Sequence, residues 1–188
     1  LEQNHFDTVA ACPLPGLGVV FGGSQGLQIF DARNGIWNTL TSANSAMSYD
    51  DVATVRCYPD QGFFVVGYRQ NGLDIFDAGN NVWEHLNRAD GLDNDFVEQV
   101  AVVGDREEIW VSSGFGLTVL SSARPLYYNS SNSPLTSNQI DALLTTEDGT
   151  VWIGGPGTLH QINDGQWSAY TAETVDGPFP TGAVTGLD

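Results

Sequence analysis

Two stretches of the sequence are copies of one another and decide the fold. Residues 17–40 are LGVVFGGSQGLQIFDARNGIWNTL, and residues 63–86 are FFVVGYRQNGLDIFDAGNNVWEHL. Each consists of a short apolar strand, a glycine-containing turn, a strand that begins with Gly-Leu, a polar turn and an aromatic strand. A repeat of this length in a chain of short strands indicates a modular β-architecture.

The same pattern recurs twice more along the chain. The glycines of the Gly-Leu pairs are Gly26, Gly72 and Gly116, which lie 46 and then 44 residues apart. The third copy begins at Glu108 and the fourth at Thr150. A further short apolar stretch precedes each copy: Phe6–Ala11, Val52–Cys57, Val97–Val103 and Ile140–Thr145. Four strands per repeat is typical of a propeller blade.

The repeat favours an all-β propeller of four-stranded antiparallel blades over a β-sandwich. Sandwich strands alternate apolar and polar residues because one face meets water, whereas the second strand of each unit is apolar throughout, as in Val19–Phe21 and Phe63–Val66. The glycines that follow, such as Gly22 and Gly67, are predicted to form tight turns near a crowded axis. We expect one propeller region over residues 1–188, with blades at approximately 5–42, 50–88, 95–130 and 138–172.

The C-terminal residues 182–188, GAVTGLD, are predicted to begin a fifth blade. Four blades and one strand leave open sheet edges and an unstacked blade face, which tend to associate. Three arrangements would cover them: a longer propeller of which this chain is a fragment, a ring closed by the last strand on the first blade, or completion by another subunit. A fragment or a partner-completed ring is favoured.

The charge excludes two classes of partner. The chain has 23 acidic residues, six basic residues that are all arginine, and a net charge of -17. Such a surface offers no basic footprint to nucleic acid and repels anionic membranes. No apolar run approaches the ~18 residues of a membrane span. The favoured interpretation is that acidic charge keeps an exported protein soluble, with adaptation to salt as the alternative.

The two cysteines, Cys12 and Cys57, fall one position apart on equivalent strands of neighbouring units. Neighbouring inner strands of a propeller are too far apart at most levels for a routine disulfide. We therefore expect two free buried thiols. The number of cysteines alone leaves the cellular compartment open.

No catalytic arrangement is evident in the sequence. The histidines, His5, His85 and His160, occupy unrelated positions of the repeat, which gives no support to a shared metal site or a serine triad. The adjacent acids Asp50-Asp51 and Glu107-Glu108 would point to opposite faces of a strand and so form no acid/base pair. The chain is predicted not to be an enzyme.

One loop contains the type of ligand that calcium takes. Asp90, Asp93 and Asp95 lie within six residues, together with a glycine and an asparagine, and calcium binds hard oxygen ligands of this kind. A turn rich in Asp and Asn, which favour turn geometry, is the preferred interpretation. No cofactor is predicted, and calcium is kept as the alternative.

A binding surface is predicted where propellers expose the loops between second and third strands together with those between blades. Large side chains occupy turns in which small residues would suffice, and aromatic and arginine side chains are favoured binding anchors. The alternative is that they pack over the mouth of the channel. The predicted ligand-binding residues are Tyr68, Arg69, Asn71 and Phe115 in the turns, and Tyr49 and Asp50 in an inter-blade loop.

The fourth unit contains the most characteristic text of the repeat. Residues 147–155 are EDGTVWIGG, residues 91–97 are GLDNDFV, and residues 109–113 are IWVSS, followed by Gly116-Leu117. These stretches resemble the two-component-regulator propeller repeat, approximately Asp-Gly-Asn-Leu-Trp-Ile-Gly-Thr followed by Gly-Leu. The resemblance covers most of residues 6–188, although the first two units lack the tryptophan.

The resemblance implies an extracytoplasmic sensory or binding region, periplasmic or secreted, within a longer protein. No kinase, helical signalling or DNA-binding segment is recognisable, so a sensor role would need the rest of such a protein. The expected partner is a protein, another part of the same propeller, or a carbohydrate or other polar ligand. A scaffold subunit that docks through blade edges is the alternative. A polysaccharide lyase or glycosidase comes third, because the fold alone does not imply catalysis.

Overall fold

A computed structural model describes residues 5–104, 107–179 and 182–186. These residues form antiparallel strands and two short 3-10 turns, Pro59–Gln61 and Arg88–Asp90. Within them no helix has the length and apolar character needed to cross a membrane. The strands are β1 Phe6–Ala11, β2 Val19–Gly23, β3 Gly26–Asp31, β4 Ile36–Leu40, β5 Val52–Tyr58, β6 Phe63–Tyr68, β7 Leu73–Asp77, β8 Val82–Leu86, β9 Gln99–Val103, β10 Glu108–Ser113, β11 Gly116–Ser121, β12 Leu126–Tyr128, β13 Ala142–Thr145, β14 Val151–Gly155, β15 Thr158–Asn163 and β16 Gln166–Tyr170.

The strands pair in sequence order into four sheets of four: β1–β4, β5–β8, β9–β12 and β13–β16. Every pairing within a sheet is antiparallel. The predicted all-β fold with four antiparallel, four-stranded blades is confirmed at this level. Of the segment predicted to begin a fifth blade, Leu187 and Asp188 lie outside the described residues.

The chain divides into two compact units, each with two sheets. Unit 1 comprises the residues up to Asp90 together with Asn94–Val97, and unit 2 comprises Gly91–Asp93 and the residues from Glu98 onward. Sheets β1–β4 and β5–β8 belong to unit 1, and sheets β9–β12 and β13–β16 belong to unit 2.

In unit 1 the two sheets share one apolar core. Strand β6 is buried along its whole length. Phe64, Val66 and Tyr68 belong to the core that includes Val20, Leu27 and Ile29 of the first sheet. Phe63 and Val65, which alternate with them, are buried as well, and this strand therefore lacks polar alternation.

The glycines at the ends of these strands have a different role from the one predicted. Gly22 and Gly67 lie within β2 and β6, not in turns. A Cβ atom on either would lie 2.5 Å from a valine methyl, that of Val52 or Val97. Glycine is required here because the first residue of the next blade packs directly on the strand.

The prediction of two free thiols is wrong, because Cys12 and Cys57 form a disulfide with Cα atoms 5.4 Å apart. Cys12 directly follows β1, and Cys57 lies in β5. The two inner strands run close together in unit 1, where the backbone N–H of Val55 donates a hydrogen bond to Thr8 Oγ1 at 3.3 Å. At this level the two strands are therefore close enough for a disulfide.

In unit 2 the core is built in the same way around β10 and β14. Ile153, Leu117 and Leu143 are buried between the two sheets, and Thr145 Oγ1 donates a hydrogen bond to the carbonyl of Val102 in β9 at 2.8 Å.

The described C-terminal residues, 182–186, pair with the end of β14. The N–H of Val184 donates to the carbonyl of Gly155 at 3.2 Å, and a Cβ on Gly154 would meet Val184. Val97 makes the equivalent contacts in unit 1, where its N–H donates to Tyr68 at 2.9 Å. Residues 182–186 thus pair with the end of β14 as Val97, which precedes β9, pairs with the end of β6.

Replacing both cysteines, Cys12→Ser with Cys57→Ser, is expected to lower the free energy of unfolding of unit 1 by about 4 kcal/mol. The bridge joins residues 45 apart in sequence and so restricts the unfolded chain. Urea unfolding followed by tryptophan fluorescence, with and without reductant, measures the effect. Reductant should bring the wild type to the stability of the variant and leave the variant unchanged. A double variant as stable as the oxidised protein would contradict this expectation.

Candidate functional site

The loop edge of unit 1 is the surface formed by the turn between β6 and β7, residues 69–72, and the inter-sheet loop, residues 41–51. It contains four of the six predicted ligand-binding residues, whereas Tyr68 ends strand β6 and Phe115 belongs to unit 2. Backbone hydrogen bonds fix the edge, since the N–H of Gly26 donates to Asp50 and that of Gly72 donates to Asp95, both at 2.8 Å. The side chain of Asn71 adds a bond from Nδ2 to the carbonyl of Ser48, 3.3 Å.

The loop edge is built over a buried carboxylate. Asp74, in β7, is 1% exposed and accepts hydrogen bonds from the backbone N–H of Ser48 at 2.7 Å and from its hydroxyl at 2.8 Å. The hydroxyl of Tyr68 donates to the same carboxylate at 2.6 Å, and His85 Nδ1 lies 2.8 Å from it. Four polar partners compensate for the cost of removing the charge from water.

Tyr68 does not lie in the turn in which the sequence placed it. It is the last residue of β6 and is fully buried. Burial, followed by the charge of Asp74, raises the pKa of its hydroxyl far above the ordinary value, so Tyr68 acts as a hydrogen-bond donor. Its ring supports the loop edge from below, where Tyr49 packs against it edge-on with ring centroids 6.2 Å apart.

Arg69 projects from the turn after β6 and is held by two carboxylates. Its Nη2 lies 3.2 Å from Asp7 Oδ2, and its Nε lies 3.4 Å from Asp51 Oδ1. The guanidinium group remains partly exposed, with 38% of its side chain accessible. Ion pairs at such exposure contribute little to stability, but they fix the direction in which the arginine points.

The remaining predicted ligand-binding residues are Tyr49 and Asp50 at the loop edge and Phe115 in unit 2. Tyr49 is exposed, whereas Asp50 is engaged, because it accepts hydrogen bonds from the backbone N–H of Ser42 at 2.6 Å and from its hydroxyl at 3.1 Å. In unit 2, Phe115 is 63% exposed, and its N–H donates to Ser113 Oγ at 3.2 Å.

The three acids considered for calcium are used as local hydrogen-bond acceptors. In unit 1, Asp90 accepts from the N–H of Asn87 at 3.0 Å, and Asp95 accepts from the N–H of Arg88 at 2.8 Å. In unit 2, Asp93 accepts from Thr118 Oγ1 at 2.9 Å. Among the residues that the structure describes, no group of three or more His, Cys, Asp or Glu side chains is arranged to hold a metal ion.

Unit 2 contains polar clusters at the repeat position that Asp74 occupies in unit 1. Asp93 contacts Ser113 and Thr118, and Thr136 Oγ1 lies 3.1 Å from Thr158 Oγ1 and 3.4 Å from His160 Nε2. Burial lowers the pKa of His160. Each cluster joins an inter-blade loop to one polar strand residue, which is Thr118 after Leu117 in β11 and His160 after Leu159 in β15.

Two carboxylates of unit 2, Glu98 and Asp141, lie just before the inner strands β9 and β13. Burial, and then the charge of Asp141, raise the pKa of Glu98. Glu98 Oε2 and Asp141 Oδ2 are both buried and have no hydrogen-bond partner among the described residues. The pair lacks a third ligand for a metal ion.

Sequence reasoning missed Ser48, Asp74 and His85. A signal was available, since the residue after the Gly-Leu leucine is polar in an otherwise apolar strand: Gln28, Asp74, Thr118 and, after Leu159, His160. A polar residue repeated at a buried strand position indicates a partner on the neighbouring loop.

Comparisons with known proteins identify the architecture. No family model and no curated protein sequence matches the chain significantly, but solved structures do. The extracellular domain of the putative hybrid two-component system BT3049 from B. thetaiotaomicron has a TM-score of 0.68 at 20% identity, over 92% of this chain and 25% of that one. The four sheets are propeller-like blades.

Two further structures resemble the chain. PorZ, an essential bacterial surface component of the type-IX secretion system of Porphyromonas gingivalis, gives a TM-score of 0.65 at 17% identity, over 100% of this chain and 24% of PorZ. Hydrazine synthase of Kuenenia stuttgartiensis gives 0.60 at 12% identity, over 89% of this chain and 54% of that one. The chain spans about a quarter of the length of the BT3049 extracellular domain and of PorZ. At these identities the likeness concerns the fold, and it agrees with the resemblance to the two-component-regulator propeller repeat.

Replacing the buried carboxylate, Asp74→Ala, is expected to lower the free energy of unfolding by about 3–5 kcal/mol, because buried donors on Tyr68 and Ser48 lose their acceptor. Tyr68→Phe should cost less, about 1–3 kcal/mol, since Ser48 keeps its bonds. Urea unfolding measures both changes. The control is Tyr49→Phe, expected to stay within about 0.5 kcal/mol. Equal stability of Asp74→Ala and the wild type would show that the carboxylate does not hold the loop edge.

Proposed function

We propose that the chain is a non-catalytic, extracytoplasmic binding module that recognises a protein or a carbohydrate on the loop edge of unit 1. The observation that carries the proposal is the exposed pair Tyr49 and Arg69, each fixed from below by buried or paired groups. A ring that can stack and a guanidinium that can donate several hydrogen bonds are the anchors that a polar ligand requires.

Preorganisation of these anchors supports a binding role. The ring of Tyr49 rests on Tyr68, whose hydroxyl is bound to Asp74, and the guanidinium of Arg69 is oriented by Asp7 and Asp51. A ligand that meets groups already ordered loses less conformational entropy on binding.

The disulfide supports an extracytoplasmic location. Disulfides persist in oxidising compartments and are rare in the reducing cytosol, and the Cys12–Cys57 bridge joins two neighbouring sheets. The blade fold is shared with extracellular domains of putative hybrid two-component systems, which is compatible with a sensory role for this chain in a longer protein.

The site is tested by titrating the isotope-labelled protein with neutral oligosaccharides, such as cellohexaose and xylohexaose, followed by amide chemical shifts. We expect shifts grouped at Tyr49, Arg69 and Asn71. Either Tyr49→Ala or Arg69→Ala should weaken binding by at least about 10-fold, as for interface anchors, with an unchanged urea midpoint. Arg33→Ala, in the turn after β3, is the matched control. Shifts grouped elsewhere, or equal binding by the anchor variants, would contradict the site.

A second candidate function, docking of the chain to another blade as part of an assembly, is favoured by one face of sheet β1–β4. Phe6, Val9 and Trp37 are 41%, 57% and 55% exposed. Trp37 lies 5.6 Å from Phe21 and 4.9 Å from Phe30, measured between ring centroids. Contiguous exposed apolar surface of this kind marks an interaction site.

The repeat itself indicates what fits this face. Its counterpart in sheet β5–β8 has Trp83 at 5.7 Å from Phe64 and 4.8 Å from Phe76, and it is packed against sheet β1–β4. Each sheet of a propeller also has a second face, on which the following blade packs. In sheet β13–β16 this face carries Leu144, Trp152 and Tyr170. A second copy of the chain could therefore dock head to tail.

Sedimentation velocity over a range of concentrations tests the docking face. We expect self-association of the wild type, weakened at least roughly 10-fold by Trp37→Glu because a charge would be buried in an apolar contact. Asn38→Glu, the neighbouring residue on the opposite face of β4, is the control. A wild type that remains monomeric at every concentration would refute docking of a second copy.

A further inference from the structure

Unit 2 contains a cleft between its two sheets, far along the strands from the polar clusters of its inter-blade loops. The cleft has a volume of about 440 Å³ and is lined by strands β10, β12 and β16 and by the turns that precede β10, β14 and β16. Cavities of this size accommodate small organic molecules. We call it the aromatic cleft.

Three aromatic rings line the aromatic cleft, Trp110 and Tyr128 from one sheet and Trp167 from the other. Trp110 and Tyr128 are nearly parallel, with an interplanar angle of 13° and centroids 6.0 Å apart. Tyr128 and Trp167 meet edge-on at 5.4 Å. Trp110 is buried in the core, whereas Tyr128 and Trp167 are half-buried. The negative electrostatic potential of such ring faces attracts a cation.

Four carboxylates line the same cleft: Glu107 and Glu108 at the start of β10, Asp148 before β14 and Asp164 before β16. Glu108 is held by Trp110, whose Nε1–H donates to Glu108 Oε2 at 3.0 Å. The described lining residues include no arginine, lysine or histidine. The cleft therefore combines a π-rich wall with a strongly negative rim.

The polar groups of the rim are fixed by the protein itself. Asp148 Oδ1 accepts from Thr146 Oγ1 at 2.6 Å and from the N–H of Thr150 at 3.1 Å. These hydrogen bonds, that of the Thr146 hydroxyl first, hold the pKa of Asp148 below its ordinary value. Asn163 Nδ2 donates to Thr150 Oγ1 at 2.7 Å, which orients the amide at the cleft.

We propose that the aromatic cleft binds an organic ammonium group, on a small-molecule amine or on a lysine side chain of a peptide. The rings supply cation–π attraction and exclude water, and the carboxylates supply charge and hydrogen-bond acceptors. A bare metal ion fits less well, because hard cations require converging oxygen ligands and an aromatic wall offers none. This site is separate from the loop edge of unit 1 and does not depend on it.

The test uses choline and its neutral isostere 3,3-dimethylbutan-1-ol as probes of the whole chain. Binding is followed by the indole N–H signals of Trp110 and Trp167 and by calorimetry. We expect saturable choline binding, with the isostere at least roughly 10-fold weaker because it lacks the charge. Equal affinity for the two probes, or no saturable shift up to about 50 mM choline, would overturn the proposal.

Variants separate the rim from the overall acidity of the protein. Asp148→Asn keeps the acceptor oxygen and removes the charge, and it should weaken choline binding several-fold, as should Glu107→Gln. Glu173→Gln removes the same charge from an exposed position outside the cleft and should leave binding unchanged. Trp167→Phe should reduce affinity without unfolding the chain, as checked by the urea midpoint. Equal effects of Asp148→Asn and Glu173→Gln would reduce the site to non-specific charge and overturn it.

Three further arms identify the occupant. Nα-acetyl-lysine methylamide is compared with its norleucine analogue, and preference for the lysine compound over choline assigns the ammonium to a peptide. Displacement of choline by millimolar Ca²⁺, but not by equal ionic strength of sodium, would make this a metal site and overturn the proposal. Arg106, next to Glu107 in the sequence, lies outside the described residues. Choline binding that appeared only in Arg106→Ala would assign the cleft to the chain's own cation, and would also overturn it.

Discussion

The carboxylate of Asp74 is the charge on which the arrangement of unit 1 depends. A carboxylate at 1% exposure is tolerated only where donors surround it, and its donors come from three elements: the inter-sheet loop, the end of β6 and strand β8. Satisfying one group thus fixes the loop over the sheet. Tyr49 owes its position to this anchoring through Tyr68, whereas Arg69 is held separately by Asp7 and Asp51.

The repeat position of Asp74 has a different chemistry in each sheet that carries a polar cluster there. In unit 1 a carboxylate is bound by two hydroxyls, a backbone amide and an imidazole. In unit 2 one cluster joins Asp93 to two hydroxyls and the other joins Thr136 to Thr158 and His160. The strands beneath are nearly constant, because apolar packing alone specifies them. Variation in one polar layer therefore changes the loops without changing the blade, which suits a fold that presents different surfaces to different ligands.

The strands and sheets could be predicted from the sequence because buried second strands leave a continuous apolar signal at a regular spacing. The details that failed depend on distances between strands. Gly67 was assigned to a turn, yet it is needed where Val97 packs on β6, and this placed Tyr68 outside the strand in which it is buried. The pairing of Cys12 with Cys57 depends on the approach of β1 to β5, which the repeat alone does not specify. Tyr49 and Arg69, the anchors of the proposed site, are identifiable by residue type, whereas Asp74 beneath Tyr49 is not, because its partner Ser48 is 26 residues away.

The disulfide also determines what happens to the chain if it is cut. The covalent ring closed by Cys12 and Cys57 contains the whole inter-sheet loop, including Tyr49. An exposed loop is where a protease cleaves first. A single cut in this loop would leave both fragments covalently joined and their two sheets packed together. Unit 1 could therefore be nicked in its inter-sheet loop and still not come apart.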